Sequence, residues 1–290
     1  MSSPLELIIQ SQQMTRLMRG QRKLGRLPKP PKDNFPVTLE REYRSKILEH
    51  FEIARKIVRE ELIPNLPALE RDAAPRRDGQ RYDINWARAL NKIFSGIDTR
   101  RKLREAGFND PKQFADDAAR EIARGNLRAI RRQVKSVLGL DIFINDTNLQ
   151  DMLDSFGDEN ARLIKTMNED FITRIQTITT QALRQGRRAG SIEKEILKLL
   201  GDEEDKTRKR AALIARDQLA SLRGDITRER QTQLGVKRYR WRTSLDIRVR
   251  KAHEDREGDT FNWNDPPPDG HPGKPILCRC TAEPVIDDLL

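Results

Sequence analysis

Four side chains able to bind a soft metal ion fall within 28 residues near the C-terminal end: His253, His271, Cys278 and Cys280. Imidazole nitrogen and thiolate sulfur are the usual ligands of zinc, and a small module with little core gains folding energy from such a staple. The spacing is not that of a zinc finger. One residue separates the cysteines instead of two, and 17 residues separate His253 from His271. A structural zinc site and plain packing roles therefore both stand for these four residues. A Cys278–Cys280 disulfide would be strained, and two cysteines do not make a disulfide framework. Catalytic patterns fit poorly. A zinc deaminase needs His-x-Glu followed by Pro-Cys-x-x-Cys, which neither His253-Glu254-Asp255 nor the run Pro275 to Cys280 supplies. A Cys/His nucleophile has nothing local to orient it, and no phosphate-binding or dinucleotide-binding loop occurs. The reading is a non-enzyme. A metal-dependent nuclease or transferase with this module as active site is the alternative, Asp246 and Asp255 near His253 being its acids.

A second chemistry is phosphate binding. Arg120, Arg124, Arg128, Arg131 and Lys135 follow one another at steps of 4, 4, 3 and 4, which stacks them on one face of a helix. Such a ridge can follow a nucleic-acid backbone, or it can face an acidic protein surface. No aromatic residues interleave it, so the stacking pattern of single-strand binders is missing. Arg19, Arg22, Lys23 and Arg26 add a basic arm, closed by Pro28, Pro30, Pro31 and Pro36.

The elements that must carry these groups are mostly helices. Tyr43, Ile47, Phe51, Ala54, Val58 and Leu62 mark one helical face, with Thr38 as N-cap and Pro64 as its end; His50 lies beside this stripe as a partly buried or surface histidine, not a ligand. Residues 67–83 read as a loop, and helical spacing resumes with Ile84, Ala87, Leu90, Phe94 and Ile97. Asp110-Pro111 opens the helix that carries the ridge, to about Leu138. After an irregular stretch over 139–158, Leu163, Met167, Phe171, Ile175, Ile178 and Ala182 predict a helix closing near Gly186. A short helix from Ser191 follows, with Gly201 beyond it, and a long one runs from about Glu204 to a C-cap at Gly235. The period then changes to two. Tyr239 and Trp241 share one side of a strand, and Phe261 and Trp263 follow the Glu257-Gly258-Asp259 turn as a second. The fold class is mainly α: an extended helical body with a small C-terminal α+β or loop-rich module. The divisions are 1–36 (basic arm), 37–150 and 151–235 (helical regions) and 236–290 (module). Trp241, Asp246, Arg248, Trp263 and Arg279 form the module's framework, with Arg216, Arg248, Arg250 and Arg279 as candidates to tie it down through salt bridges.

Composition points to a chain that works with partners. Charged residues make up 35%, against about 25% in an ordinary globular domain. Net charge is +11, which favours nucleic acid or acidic surfaces without choosing between them. No apolar run approaches the roughly 20 residues of a membrane span. No basic stretch precedes the short apolar patch at Leu5, Ile8 and Ile9, so no signal peptide and no membrane partner are expected. The two cysteines suit a reducing cytoplasm.

One pattern is specific as a set: Trp241, Asp246, Arg248, Arg250 and His253, then Gly258, Phe261, His271-Pro272-Gly273, Cys278-Arg279-Cys280 and Pro284. It resembles the tail of the phage Mu F-like minor head family, also known by the SPP1 gp7-type head morphogenesis name. The helix from Ile214-Ala215-Arg216 resembles that family's Ile-Ala-Arg-Thr-Glu helix, with Asp217 and Gln218 where the family has Thr-Glu. The similarity covers about residues 155–285, and residues 1–150 carry no motif of it. The resemblance implies a structural minor capsid protein of a tailed bacteriophage, made in the host cytoplasm and held inside the head at the portal. Its implied partners are the portal protein, packaged double-stranded DNA, and major capsid or scaffold protein; its implied role is head assembly, packaging or genome delivery. No cofactor is implied, leaving structural zinc as the one candidate. A free, non-specific DNA-binding protein is a further alternative.

Overall fold

The computed structural model describes residues 29–73, 84–96, 110–139, 141–144, 146 and 149–286. Arg19, Arg22, Lys23 and Arg26 lie outside the described residues, as does most of the 1–36 arm. Among the described residues the chain is mainly α, as expected, with one small sheet. Its elements are α1 (Val37–Ile57), α2 (Leu66–Ala73), α3 (Ile84–Gly96), α4 (Pro111–Leu138), α5 (Leu149–Arg184), α6 (Ala189–Gln233), β1 (Arg238–Arg242), α7 (Lys251–Glu254), β2 (Thr260–Asn262) and β3 (Thr281–Pro284). They form two units from discontinuous stretches, whereas the sequence reading divides the chain at 36, 150 and 235. The first comprises 1–41, 116–156 and 213–290, and the second 42–115 and 157–212.

The second unit is built on apolar helix faces. Tyr43, Ile47, Phe51, Ala54, Val58 and Leu62 are all buried, and the Phe51 ring meets Phe171 at 4.9 Å. Pro64 does not end this helical run. A π-turn (Val58–Leu62) and a 3-10 turn (Ile63–Asn65) lead into α2, so part of the expected 67–83 loop is helix. Proline near a helix start leaves its missing N–H without consequence, and Leu66 and Leu69 are buried three residues apart. Glu70 of α2 then accepts the Ala189 N–H at 2.7 Å, a carboxylate seated where the first N–H groups of α6 lack partners. His50 is more deeply buried than the partly buried or surface position expected, and its Nδ1 pairs with the Asn168 amide at 2.9 Å.

Three expected boundaries move. Helix α1 begins before Thr38, with the Pro36 carbonyl accepting the Glu40 N–H. Helix α5 starts at Leu149 and runs 36 residues, absorbing part of the stretch expected to be irregular. Its buried stripe uses Ile164 and Thr179 where Leu163 and Ile178 were expected. Thr179 is tolerated because its hydroxyl donates to the Ile175 carbonyl at 2.8 Å. Helix α6 is one helix of 45 residues, continuous through Gly201. That glycine costs about 1 kcal/mol in a helix interior, too little to interrupt a stripe that keeps Ile192, Ile196, Leu200, Ala211 and Ala215 buried. The caps fall where expected. Asp110 Oδ1 accepts the Lys112 N–H at 3.0 Å. Gly186 and Gly235 adopt φ of 70° and 85°, each with the following N–H turned back to a carbonyl five residues earlier.

The first unit carries the sheet. Strand β1 lies between β2 and β3, antiparallel to both, with Tyr239 opposite Phe261 and Trp241 opposite Ala282. Tyr239 and Trp241 are fully buried while Arg238, Arg240 and Arg242 are not, the alternation of a one-faced strand. The turn at Gly258 has φ of 89° and returns its N–H to the Trp241 carbonyl at 2.9 Å. Under the sheet, Tyr239, Trp241, Trp263, Cys278, Cys280 and Ala282 form one apolar cluster. Beside it, Ile130, Val134, Ile142, Leu234, Val236 and Ile286 belong to a second.

Candidate functional site

The tail of α6 is the platform for the module. Gln231 donates from Nε2 to the Ala282 carbonyl at 2.9 Å and accepts the Trp263 indole N–H at 3.1 Å, so one side chain holds β3 and the residue after β2. The His271-Pro272-Gly273 turn lies directly on this helix. A Cβ on Gly224 would come within 2.7 Å of the Pro272 carbonyl oxygen, and one on Gly273 within 2.5 Å of the Ala220 carbonyl oxygen. Gly273 also has φ of 93°, so only glycine suits both the conformation and the contact.

This framework brings together three of the four expected metal ligands. His253, Cys278 and Cys280 are all buried, and their ligand atoms lie within 4.8 Å of one another. His253 Nδ1 is 3.7 Å from Cys278 Sγ and 3.5 Å from Cys280 Sγ. His271 does not join them. Its Nδ1 pairs with the Tyr239 hydroxyl at 2.9 Å beneath the sheet, and burial, then the Arg228 charge, pull its pKa down. The sequence offered four ligands because spacing cannot say that His271 packs against Tyr239 while His253 packs against Trp241.

His253 is held from both sides. Its ring meets Trp241 edge-on at 5.1 Å, and Nε2 faces Asp269 Oδ2 at 3.0 Å. With Nε2–H donating to that carboxylate, Nδ1 turns its lone pair to the sulfurs. Burial raises the Asp269 carboxyl, but hydrogen bonds from His253 and Arg256 outweigh it and hold the pKa below the usual range. Cys278 is drawn down to about 6, first by its hydrogen bond with Cys280 and further by the Gly273 and Cys280 N–H groups. The same hydrogen bond and burial push Cys280 upward. The Trp241 indole N–H has no conventional hydrogen-bond partner among the described residues, yet it lies toward Cys280, where its dipole lowers that thiol's pKa.

The three residues line a cleft of about 190 Å³ whose other walls include Arg216, Asp246, Arg248, Arg250 and Arg279. Arg279 donates to both oxygens of the buried Glu40, at 2.9 and 3.1 Å, and reaches Asp246 at 3.3 Å. Arg216 reaches Glu40 at 3.2 Å. Arg250 is turned to the Ile276 carbonyl at 2.5 Å, and Arg248 offers its backbone N–H to Asp246 at 2.9 Å. Leu245 and Leu277, at φ of 57° and 61°, stand immediately before Asp246 and Cys278. Left-handed leucines are uncommon, and strain of this kind gathers at functional sites. The Leu277 N–H is fixed by Asp217 at 3.1 Å, which gives a position that departs from the family pattern a definite job. Glu40, Gln231, Gly224 and Asp269 were given no role at the site by the sequence reading, and Asp217 entered it only as a departure from the family pattern. Gly224 alone carried a local signal, a glycine inside a helical run.

The ridge on α4 is exposed, but it is not a row of unpaired cations. Arg120 pairs with Asp117 at 2.6 Å, Arg124 and Arg128 share Glu121 at 2.8 and 3.1 Å, and Lys135 pairs with Asp141 at 2.9 Å. Hydrogen bonds from Arg124 and Arg128 lower the Glu121 pKa. Steps of three and four that stack the cations also place acids among them. The opposite face of α4 is anchored by a residue the sequence reading passed over. Arg230 of α6 donates to the Ala123 carbonyl at 2.7 Å and to Asn126 at 2.9 Å, and grips Asp146 with Nε and Nη2 at 3.0 and 2.7 Å.

Residues 173–283 match the family described as Phage Mu protein F like protein, a stretch from within α5 through α6 to β3. Over this stretch the chain is similar to the phage Mu F-like family. A Haemophilus influenzae protein described as "Uncharacterized protein" is 32% identical over 174 residues, covering 58% of this chain. The aligned part spans 38% of that relative's length. No solved structure gives a significant match. Among the described residues no helix is long and apolar enough to cross a membrane.

Proposed function

We propose that this chain is a minor head protein of a tailed bacteriophage, held inside the head at the portal. The observation that carries the reading is the family match over residues 173–283, which contains His253, the His-Pro-Gly turn and both cysteines. In this reading the C-terminal module is a rigid knob for protein contact, stiffened by three buried aromatic side chains and the Glu40–Arg279 pair. The ridge from Arg120 to Lys135 meets packaged double-stranded DNA by exchanging its intramolecular carboxylates for phosphates. That exchange costs little, because exposed ion pairs contribute only about 0–1 kcal/mol each. Portal is the first partner, with major capsid or scaffold protein the next surfaces to be met during assembly.

The test is to mix the purified chain with portal protein from the same phage genome and follow co-migration by size exclusion, with and without duplex DNA. Stable co-migration without DNA is the expected result. Portal that elutes alone overturns the reading. If the chain instead cleaves duplex DNA only when a divalent metal is added, the module is the active site of a nuclease.

A further inference from the structure

We propose that His253, Cys278 and Cys280 bind one zinc ion through three protein ligands, leaving a fourth coordination position open to the arginine-walled cleft. With zinc–nitrogen and zinc–sulfur bonds of roughly 2.0 and 2.3 Å, a tetrahedral centre sets its nitrogen and sulfur ligands about 3.5 Å apart. The two Nδ1–Sγ distances here are 3.5 and 3.7 Å. Two cysteines packed only for their apolar character have no reason to converge on the same imidazole nitrogen.

Two further features fit an ion at this point. Asp269 takes the far nitrogen of the His253 ring at 3.0 Å, the carboxylate–histidine arrangement that orients metal-bound imidazoles. Two thiolates and a divalent cation also sum to zero charge, which suits residues this buried. Among the described residues no fourth His, Cys, Asp or Glu atom joins the cluster. The three ligands line the cleft with Arg216 and Arg279, so the remaining position faces a volume of about 190 Å³. Water or a small anion fills it. Three protein ligands with an exchangeable fourth position distinguish this centre from a closed four-ligand staple.

The experiment uses the full chain without a histidine tag, purified under reducing conditions and reconstituted with zinc alone. Elemental analysis is expected to give about one zinc per chain. Cys278→Ser and Cys280→Ser each lose it, and His271→Gln keeps it. Asp269→Asn retains all three ligands and is expected to weaken zinc ~10–100-fold in competition with a chelating dye; because it removes no ligand, this variant tests the site even if the cysteine variants fail to fold. Cobalt in place of zinc is expected to show sulfur-to-metal charge-transfer absorption, with visible bands that shift when azide is added. A wild-type chain that takes up no zinc overturns the proposal, as does uptake that survives both cysteine substitutions. Cobalt bands indifferent to azide, or zinc lost on His271→Gln, overturn the open position.

Discussion

Arg223, Arg230 and Arg279 are 9% exposed or less, while Arg120, Arg124 and Arg128 are more than half exposed, though all six belong to one unit. The residue type is the same and the electrostatics are opposite. A guanidinium cannot shed its proton, so each buried one has to be met by a carboxylate or carbonyl: Asp33 for Arg223, Asp146 and Asn126 for Arg230, Glu40 and Asp246 for Arg279. The exposed ones have Asp117 and Glu121 within reach, but water screens those pairs and leaves the cations free to change partner. The net charge of +11 therefore divides into arginines that hold the fold and arginines that can be offered to something else.

The sharpest way to break this contrast is to remove one buried carboxylate. Glu40→Ala leaves Arg279 with Asp246 alone and Arg216 without its acid. Urea unfolding is expected to show a loss of about 3–5 kcal/mol, the cost of an uncompensated buried charge. Glu40→Gln, which keeps an acceptor, should recover part of that. A loss under about 1 kcal/mol for the alanine variant would mean water screens this network as it does the ridge.

Burial acts differently on a base that can release its proton. His50 is buried, its Nε2 has no hydrogen-bond partner among the described residues, and desolvation lowers its pKa from 6.5 to about 4. Between those values the unfolded chain binds the extra proton and the folded chain does not. Stability is thus full above pH 6.5, falls as pH drops through this window, and stops falling below about pH 4. The total loss is on the order of 3 kcal/mol at about 1.4 kcal/mol per pH unit. Denaturant midpoints between pH 7 and 4 should fall less steeply for His50→Gln than for the wild type. Parallel curves would show that the folded protein protonates His50 readily.

A smaller effect separates steric docking from charge. Gly224→Ala pushes a methyl group against the Pro272 carbonyl, at an expected cost of about 1–3 kcal/mol. Gly201→Ala in the same helix meets nothing within 4 Å, and should stabilise by up to about 1 kcal/mol. Thermal melts of the two variants shifting in opposite directions would confirm that the His-Pro-Gly turn, not helix propensity, dictates the glycine at 224.

These cases also mark what the amino-acid order made legible. Local regularities were readable: the Tyr43–Leu62 stripe, the Asp110 cap, the glycine stops at 186 and 235, and the two-residue period at Tyr239 and Trp241. Each is set by neighbours three, four or two positions away, which is information a linear pattern carries. Gly201 misled because a single glycine costs less than the continuous stripe on either side of it stabilises. Strand β3 was missed because Thr281-Ala282-Glu283-Pro284 is short and ends in proline, with no strand pattern of its own until β1 is present to pair with it. Of the candidate metal set, His253 and the cysteines converge only through the path of the chain around Trp241, and Asp269 enters through a proline loop with no periodicity at all. Glu40 lies 239 residues from Arg279, and no local pattern could have joined them.

The smallest effect on stability carries the largest consequence for the ridge. Among the described residues, the ion pairs of Arg120, Arg124 and Arg128 are with acids on their own helix, and each is worth at most about 1 kcal/mol. Replacing all three by alanine should therefore barely move the melting temperature. Affinity for non-specific duplex DNA should respond much more, because each cation that reaches a phosphate releases a counterion and steepens the salt dependence by about 0.9 in log–log slope. The triple variant is expected to lower that slope by roughly 2–3, uniformly across duplex sequences. An unchanged slope would mean that Asp117 and Glu121 keep these cations even beside a polyanion. The ridge would then face a protein surface, whose carboxylates could join the same alternating pattern of acids and bases.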